Sequence, residues 1–281
     1  MQITELSNFI GLGVAGNFAG HLEQAGEAAD FVAVKVADKV APKALFPFYV
    51  PGHPGQLGVF PLSGEAIFLP EAAVSGDEKV QIEPEVALWC ELEYAGEQVV
   101  AIHPKAFGAY NDCSIRRPNA RKISEKKNWG EESKGLAATL LPLSHFAPGC
   151  ELDDYRIACY LERDGELHPY GVDSPAVDYS YFHQQLLDWA IDKFNHQQDE
   201  GPAEHIQGLL AQAGRPAHAL ISIGATRYTP FGETHFLAPG DTSCVVVYPA
   251  SRYGEADIRE AIRSRTFGPD VSALLQAVRV R

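Results

Sequence analysis

The densest pattern of apolar positions lies between residues 80 and 113. VQIEPEVALWCELEY predicts one long strand, and EQVVAIHPKAFGAYNDCS supplies two more, around a turn at Ala95-Gly96. Pro84 lacks a ladder donor, which places it at a strand start, an edge or a bulge. Residues 41–80 are rich in Pro and Gly and predict short strands and loops. His53 lies there in a PGHPG turn and carries no assignment. Later in the chain, YRIACYLERDGELHPYG reads as a hairpin with Asp164-Gly165 as its turn. YSYFHQQLLDWAIDKFNHQ has the clearest helical period. Phe182, Leu186, Ala190 and Phe194 recur four residues apart, Asp178 or Ser180 supplies a cap, and His183 sits at the surface or in packing. AEHIQGLLAQAG is a second helix ending at Gly214. HALISIGATRY has a buried-strand character, and FLAPGDTSCVVVYP turns at Pro-Gly-Asp into another strand. The tail, SRYGEADIREAIRSRTFGPDVSALLQAVRVR, reads as two short helices. There are no repeats and no clear linker, so the pattern predicts one compact, β-rich α+β domain.

Composition narrows the function. The chain has 281 residues, 46% hydrophobic and 21% charged, which is ordinary for a globular protein. No apolar run reaches membrane-spanning length, and the first residues lack a basic, cleavable leader pattern, so a cytoplasmic protein is expected. The formal net charge of −14 argues against nucleic acid and anionic membranes as partners. It also means that a small anionic substrate would need a local cation. The five cysteines (Cys90, Cys113, Cys150, Cys159, Cys244) form no CxxC pair and read as small core residues in a reducing compartment.

Two patterns carry candidate chemistry. Gly11, Gly13 and Gly16 spell GxGxxG, followed by a helix-like stretch, an apolar run from Phe31 and Asp38. That order is the dinucleotide fingerprint and supports an alternative reading as an NAD-binding oxidoreductase. Against it, the chain beyond Asp38 does not continue as alternating strands and helices. The second pattern is Glu83-Pro-Glu85 with Asp112. In an extended chain, residues two apart share a face, so Glu83 and Glu85 converge while Val86 and Leu88 turn to the core. Three carboxylates meeting at one point repel unless a cation lies between them, and oxygen-only donors suit a hard ion: Mg2+, Mn2+ or Ca2+. The following segment, residues 114–135, is the main basic patch, including Arg116, Arg117, Lys126, Lys127 and Lys134.

In fixed order, several segments resemble the fumarylacetoacetate hydrolase family. They are Asn17-Phe18-Ala19-Gly20-His21, the run from Phe31 to Lys35, Glu83-Pro-Glu85, Asn111-Asp112-Cys113-Ser114-Ile115-Arg116, Trp129 with Lys134-Gly135, and Phe236 to Asp241. The resemblance spans about residues 8–248. It implies a mixed β-roll with peripheral helices as a catalytic domain over residues 1–250, with residues 1–40 as a lid region and 251–281 as a helical extension. It implies a homodimer in which Glu83, Glu85 and Asp112 hold Mg2+ or Mn2+, with Ca2+ a third candidate.

Within that resemblance, His21 is the general base, Lys134 orients developing charge, and Glu23 is the carboxylate nearest the place of the histidine's partner. Lys35, Arg116 and Thr226 bind substrate. The implied activity is that of a metal-dependent hydrolase or lyase, with decarboxylation or isomerisation as related outcomes. The implied substrate is a 2-oxo acid or 1,3-dicarbonyl compound, and a carbon–carbon bond is cleaved. The sequence departs from the family where Gln24 stands three residues after His21 in place of glutamate, and where Arg117 replaces an aspartate. These departures support a second alternative, a catalytically weak member that binds metal and dicarboxylate.

Overall fold

The computed structural model describes residues 8–27, 40–117 and 120–280. Its strands, in chain order, are β1 Ile10–Ala15, β2 Ala44–Tyr49, β3 Leu62–Ser63, β4 Ala66–Leu69, β5 Val80–Gln81, β6 Pro84–Ala95, β7 Gln98–Asn111, β8 Ser114–Ile115, β9 Lys134–Leu136, β10 Leu141–Pro142, β11 Tyr155–Arg163, β12 Glu166–Pro175, β13 His218–Ser222, β14 Thr242–Pro249 and β15 Ser272–Val280. The helices are α1 His21–Gln24, α2 Glu71–Ser75, α3 His183–His196, α4 Ile206–Gln212, α5 Pro230–Thr234 and α6 Glu255–Ser264.

Two mixed sheets make the body of the molecule. The larger runs β2-β1-β13-β6-β7-β9-β3, with β10 added alongside β7. The smaller runs β12-β11-β14-β15-β4, and β5 pairs with β8 separately. The parallel pairs are β1 with β13, β3 with β9, and β15 with β4. The main core unites residues of both sheets: Val86 and Leu88 from β6, Phe107 from β7, Ile157 from β11, Val245 and Val247 from β14, and Leu274 from β15. The apolar stripe of α3, with Leu186, Ala190 and Phe194, is buried in the same core. This is the β-rich α+β architecture that the pattern predicts.

The turns fall where expected. Ala95 and Gln98 close the β6–β7 hairpin with Gly96 at positive φ, and Asp164 and Gly165 close β11–β12, both left-handed. Pro84 begins β6. Other expectations need correction. Residues 98–111 form one strand rather than two, because Pro104 falls at a register shift that spares it a ladder bond. The second helix of the tail is absent. Residues 272–280 alternate buried and half-buried positions, and that period of two fits them between β14 and β4. Helix α3 starts at His183 without a side-chain cap, and Ser180 instead donates its N–H to the Asn17 carbonyl.

Gly11 and Gly13 lie inside β1, not in a turn. Each faces an aromatic ring of the neighbouring strand: a β-carbon at Gly11 would meet the Phe48 ring at 2.3 Å, and one at Gly13 the Phe46 ring at 2.2 Å. The glycines thus admit β2 side chains. Only Gly16 terminates the strand, and the helix beyond it, α1, is a single turn. This corrects the dinucleotide-fingerprint reading. Asp38 and the run from Phe31 to Lys35 lie outside the described residues.

A buried carboxylate cluster as candidate metal centre

The β6–β7 hairpin builds the site. Its register places Glu85 opposite Tyr110 and Pro84 opposite Asn111. Asp112 then donates its N–H to the Glu83 carbonyl at 2.9 Å, so the ends of the hairpin stay closed. Two register shifts, at Trp89/Cys90 and at Glu93/Tyr94, decide which residues meet. At the turn, opposed residues sum to 193 (Ala95 with Gln98), and at the site they sum to 195 (Pro84 with Asn111). Without both shifts Tyr110, not Asp112, would oppose Glu83.

Glu83, Glu85 and Asp112 are buried, and each offers a carboxylate oxygen within 4.8 Å of the others. Cations surround them. Lys127 Nζ lies 2.6 Å from Glu83 Oε2 and 2.5 Å from Asp112 Oδ2. Lys134 Nζ lies 3.3 Å from Asp112 Oδ1 and donates to the carbonyls of Asp112, at 2.8 Å, and Cys113. Arg116 is held on all three nitrogens: Nε donates to Gln81 at 2.6 Å, NH2 to the Tyr228 hydroxyl at 2.8 Å, and NH1 faces Glu27 at 2.8 Å and Glu83 at 2.9 Å. Among the described residues, Glu85 receives only the Gly224 N–H, at 2.9 Å.

Electrostatics follow from this layout. Burial opposes the charge on Glu83, but Lys127 and Arg116 hold its carboxyl well below the usual range. Burial, reinforced by Asp112 and Glu83, drives the Glu85 carboxyl well above it. Neither Asp112 oxygen lies in line with a donated hydrogen bond, although both are ion-paired, and the buried Thr226 Oγ1 is without a partner. Burial raises the Asp112 carboxyl as well, so two of the three buried carboxyls resist ionisation where they stand, and a cation among them would relieve that. The hard oxygen donors fit a divalent ion at that point, with Lys127 as its internal competitor.

His21, at the start of α1, is buried, and its Nδ1 lies 2.9 Å from the Thr226 carbonyl oxygen. Burial, against the opposing charge of Glu83, lowers its basicity. Glu23 is exposed and does not join the site. Gln24 instead clamps the Tyr228 backbone, donating to its carbonyl at 3.1 Å and accepting its N–H at 2.8 Å. The carboxylate that enters is Glu27, whose Oε1 meets Arg116 at 2.8 Å and Lys126 at 3.2 Å. Gly26, at φ 72, ends α1 and lets the Glu27 N–H reach the Leu22 carbonyl at 2.9 Å. That helix stop was the sequence signal for Glu27. Lys127 was visible only as one cation of a basic run. Lys35 lies outside the described residues.

The architecture resembles several solved structures. One is the yeast fumarylacetoacetate hydrolase family protein ynq8, at 12% identity and a TM-score of 0.51, over 98% of this chain and 94% of that one. Another is a 2-keto-3-deoxyarabinonate dehydratase, at 14% and 0.52, over 97% and 73%. A third is a fumarylacetoacetate hydrolase from Exiguobacterium antarcticum, at 14% and 0.50, over 97% and 76%. At such identities the likeness is one of fold, and the fold is that of the fumarylacetoacetate hydrolase family. No curated protein matches the sequence. A family model described as "Family of unknown function (DUF5718)" matches residues 27–278, and the chain belongs to that family, as a divergent bearer of the fumarylacetoacetate hydrolase fold.

Proposed function

We propose that the protein is a divalent-metal-dependent enzyme that acts on a 2-oxo acid or 1,3-dicarbonyl compound and cleaves a carbon–carbon bond. The observation that carries this reading is the buried Glu83–Glu85–Asp112 cluster, whose oxygens lie within 4.8 Å of one another. Glu83, Glu85 and Asp112 would hold Mg2+ or Mn2+. The ion would supply a Lewis acid that polarises a chelated carbonyl and stabilises an enolate.

The chain's own residues have separable tasks. His21 donates Nδ1–H to the Thr226 carbonyl, which leaves Nε2 as the base that takes a proton from water. Lys134 fixes the Asp112 backbone, and Arg116 fixes Glu83 and Glu27. Among the described residues, Glu27, Glu83 and Asp112 pair with Arg116, Lys126, Lys127 and Lys134. This group of basic side chains around the cluster suits an anionic substrate.

A second reading follows from Lys127, whose ammonium bridges Glu83 and Asp112. Here the lysine replaces the ion, and the site binds an anion without metal. Thermal melting separates the two. With Mn2+ and oxalate at about a hundredfold excess over Kd, ligation stabilises the fold by about 2.7 kcal/mol. Glu83→Gln removes that gain. A wild-type melting curve raised by oxalate alone, with no further gain when Mn2+ is added, establishes the lysine-filled reading instead.

A further inference from the structure

A second group of donor atoms lies apart from the carboxylate cluster. Cys150 precedes a 3₁₀ turn, Glu151–Asp154, and this turn brings Asp153 Oδ1 to 3.3 Å from Cys150 Sγ. From the opposite side comes His183, the first residue of α3. Its φ of 50 is left-handed, a backbone conformation that costs a β-carbon residue energy and that gathers at functional sites. The ring is flanked by Phe146, edge-on at 5.4 Å, and Phe182, at 4.3 Å. Its Nε2 lies 2.6 Å from Asp153 Oδ1 and 3.8 Å from Cys150 Sγ. The other Asp153 oxygen accepts the Gly149 N–H at 2.7 Å, which orients the carboxylate. Cys150 is buried, whereas the Asp153 and His183 side chains keep 27% and 17% of their surface open to solvent.

The arrangement is not a nucleophile–base–acid relay. In a relay, the carboxylate holds one imidazole nitrogen and the nucleophile faces the other. Here sulfur and carboxylate converge on the same nitrogen, so three donors of different softness point at one place. We propose that Cys150, Asp153 and His183 form a binding site for a borderline divalent transition metal of the Zn2+ class, with water as fourth ligand. A thiolate, an imidazole and a carboxylate are the donors such ions take, whereas Mg2+ and Ca2+ prefer oxygen alone. Bonds of about 2.0–2.3 Å set tetrahedral ligand separations near about 3.3–3.6 Å. The observed separations bracket that range, and only the His183–Asp153 edge must open, by several tenths of an ångström. Ligation expels the Cys150 proton to solvent, and the ion then ties the loop ahead of β11 to the start of α3. That helix start has no side-chain cap of its own.

Cobalt substitution on the full-length protein tests the site. One equivalent of Co2+ added to chelator-treated protein is expected to give a thiolate-to-cobalt charge-transfer band, which Zn2+ abolishes. The other four cysteines are all buried and lie outside this cluster, so the band reports Cys150. Cys150→Ser is expected to remove the band, His183→Ala to weaken Co2+ at least tenfold, and Glu83→Gln to leave the spectrum unchanged. Absence of the band in the wild type, or its persistence in Cys150→Ser, overturns the proposal. If Cys150→Ser does not fold, the near-isosteric Asp153→Asn serves. A tenfold loss of Co2+ affinity in that variant supports the site, and an unchanged affinity overturns it.

Discussion

The contact between His21 Nδ1 and the Thr226 carbonyl fixes a tautomer, because a carbonyl oxygen only accepts. Nε2 therefore carries the lone pair of the neutral ring, and burial, opposed by Glu83, lowers the ring's basicity. His21→Ala is expected to lower kcat by roughly 10²–10⁴-fold on an acylpyruvate or oxaloacetate panel, while the Mn2+–oxalate melting shift persists. Undiminished turnover would take His21 out of the mechanism. Glu204 offers a separate titration. Burial, against the Ser124 N–H at 3.3 Å, pushes its carboxyl up to about 7, and Oε2 has no partner. A raised carboxyl pKa means that the folded state keeps a proton the unfolded state has lost. The stability is thus complete below about pH 4.5 and falls as the pH rises to about 7. Glu204→Gln should leave stability near pH 4 unchanged and raise it at pH 8 by about 1–3 kcal/mol. Denaturant titrations at the two pH values check this, and an equal effect at both would refute it.

At the scale of elements, β1 shows what a literal motif hides. Gly11 and Gly13 are small because Phe48 and Phe46 of β2 lie across their faces. Gly13→Ala should cost about 1–3 kcal/mol through overpacking, read by chemical denaturation, and NADH should not shift the melting temperature of the wild type. An NADH shift lost in Gly13→Ala would restore the nucleotide reading. The β6–β7 hairpin shows the complementary case. Glu83, Glu85 and Asp112 were legible because period-two spacing and the order of segments do not depend on exact register. The two bulges that bring Asp112 opposite Glu83 were not legible, since each adds one residue without a sequence mark of its own beyond Pro104. Lys127 and Glu27 were missed for the same reason: their partners are set by tertiary register, not by local spacing. Strand β15 was misread because SALLQAVRV combines helix-favouring residues with a strand's alternation, and neighbouring strands decide between them.

The whole molecule depends on how that last strand reaches the site. Gln276 of β15 accepts the Asn111 side-chain N–H at 3.1 Å, and its own amide faces the carbonyls of Ser63, Ala66 and Lys134 at 3.1 to 3.4 Å. Asn111 also donates to Ser243 Oγ at 3.2 Å and accepts the Glu83 N–H at 3.2 Å. Gly135 makes this approach feasible, since a β-carbon there would lie 2.2 Å from Gln276 Oε1. The smaller sheet thereby holds the residue before one carboxylate and the backbone of another. Gln276→Met keeps the volume and removes the four Gln276 bonds, leaving three carbonyls without that donor and the Asn111 amide with Ser243 Oγ as its remaining acceptor. A buried polar group left unsatisfied costs about 1–3 kcal/mol, so Gln276→Met should destabilise by at least that amount. The decisive measurement is a double-mutant cycle with Asn111→Ala. Residues sharing one network couple by about 0.5–3 kcal/mol, and the single Gln276→Met change should also weaken Mn2+ binding although Gln276 touches none of the three carboxylates. Additive losses, with Mn2+ affinity intact, would mean that the two sheets pack without positioning the cluster.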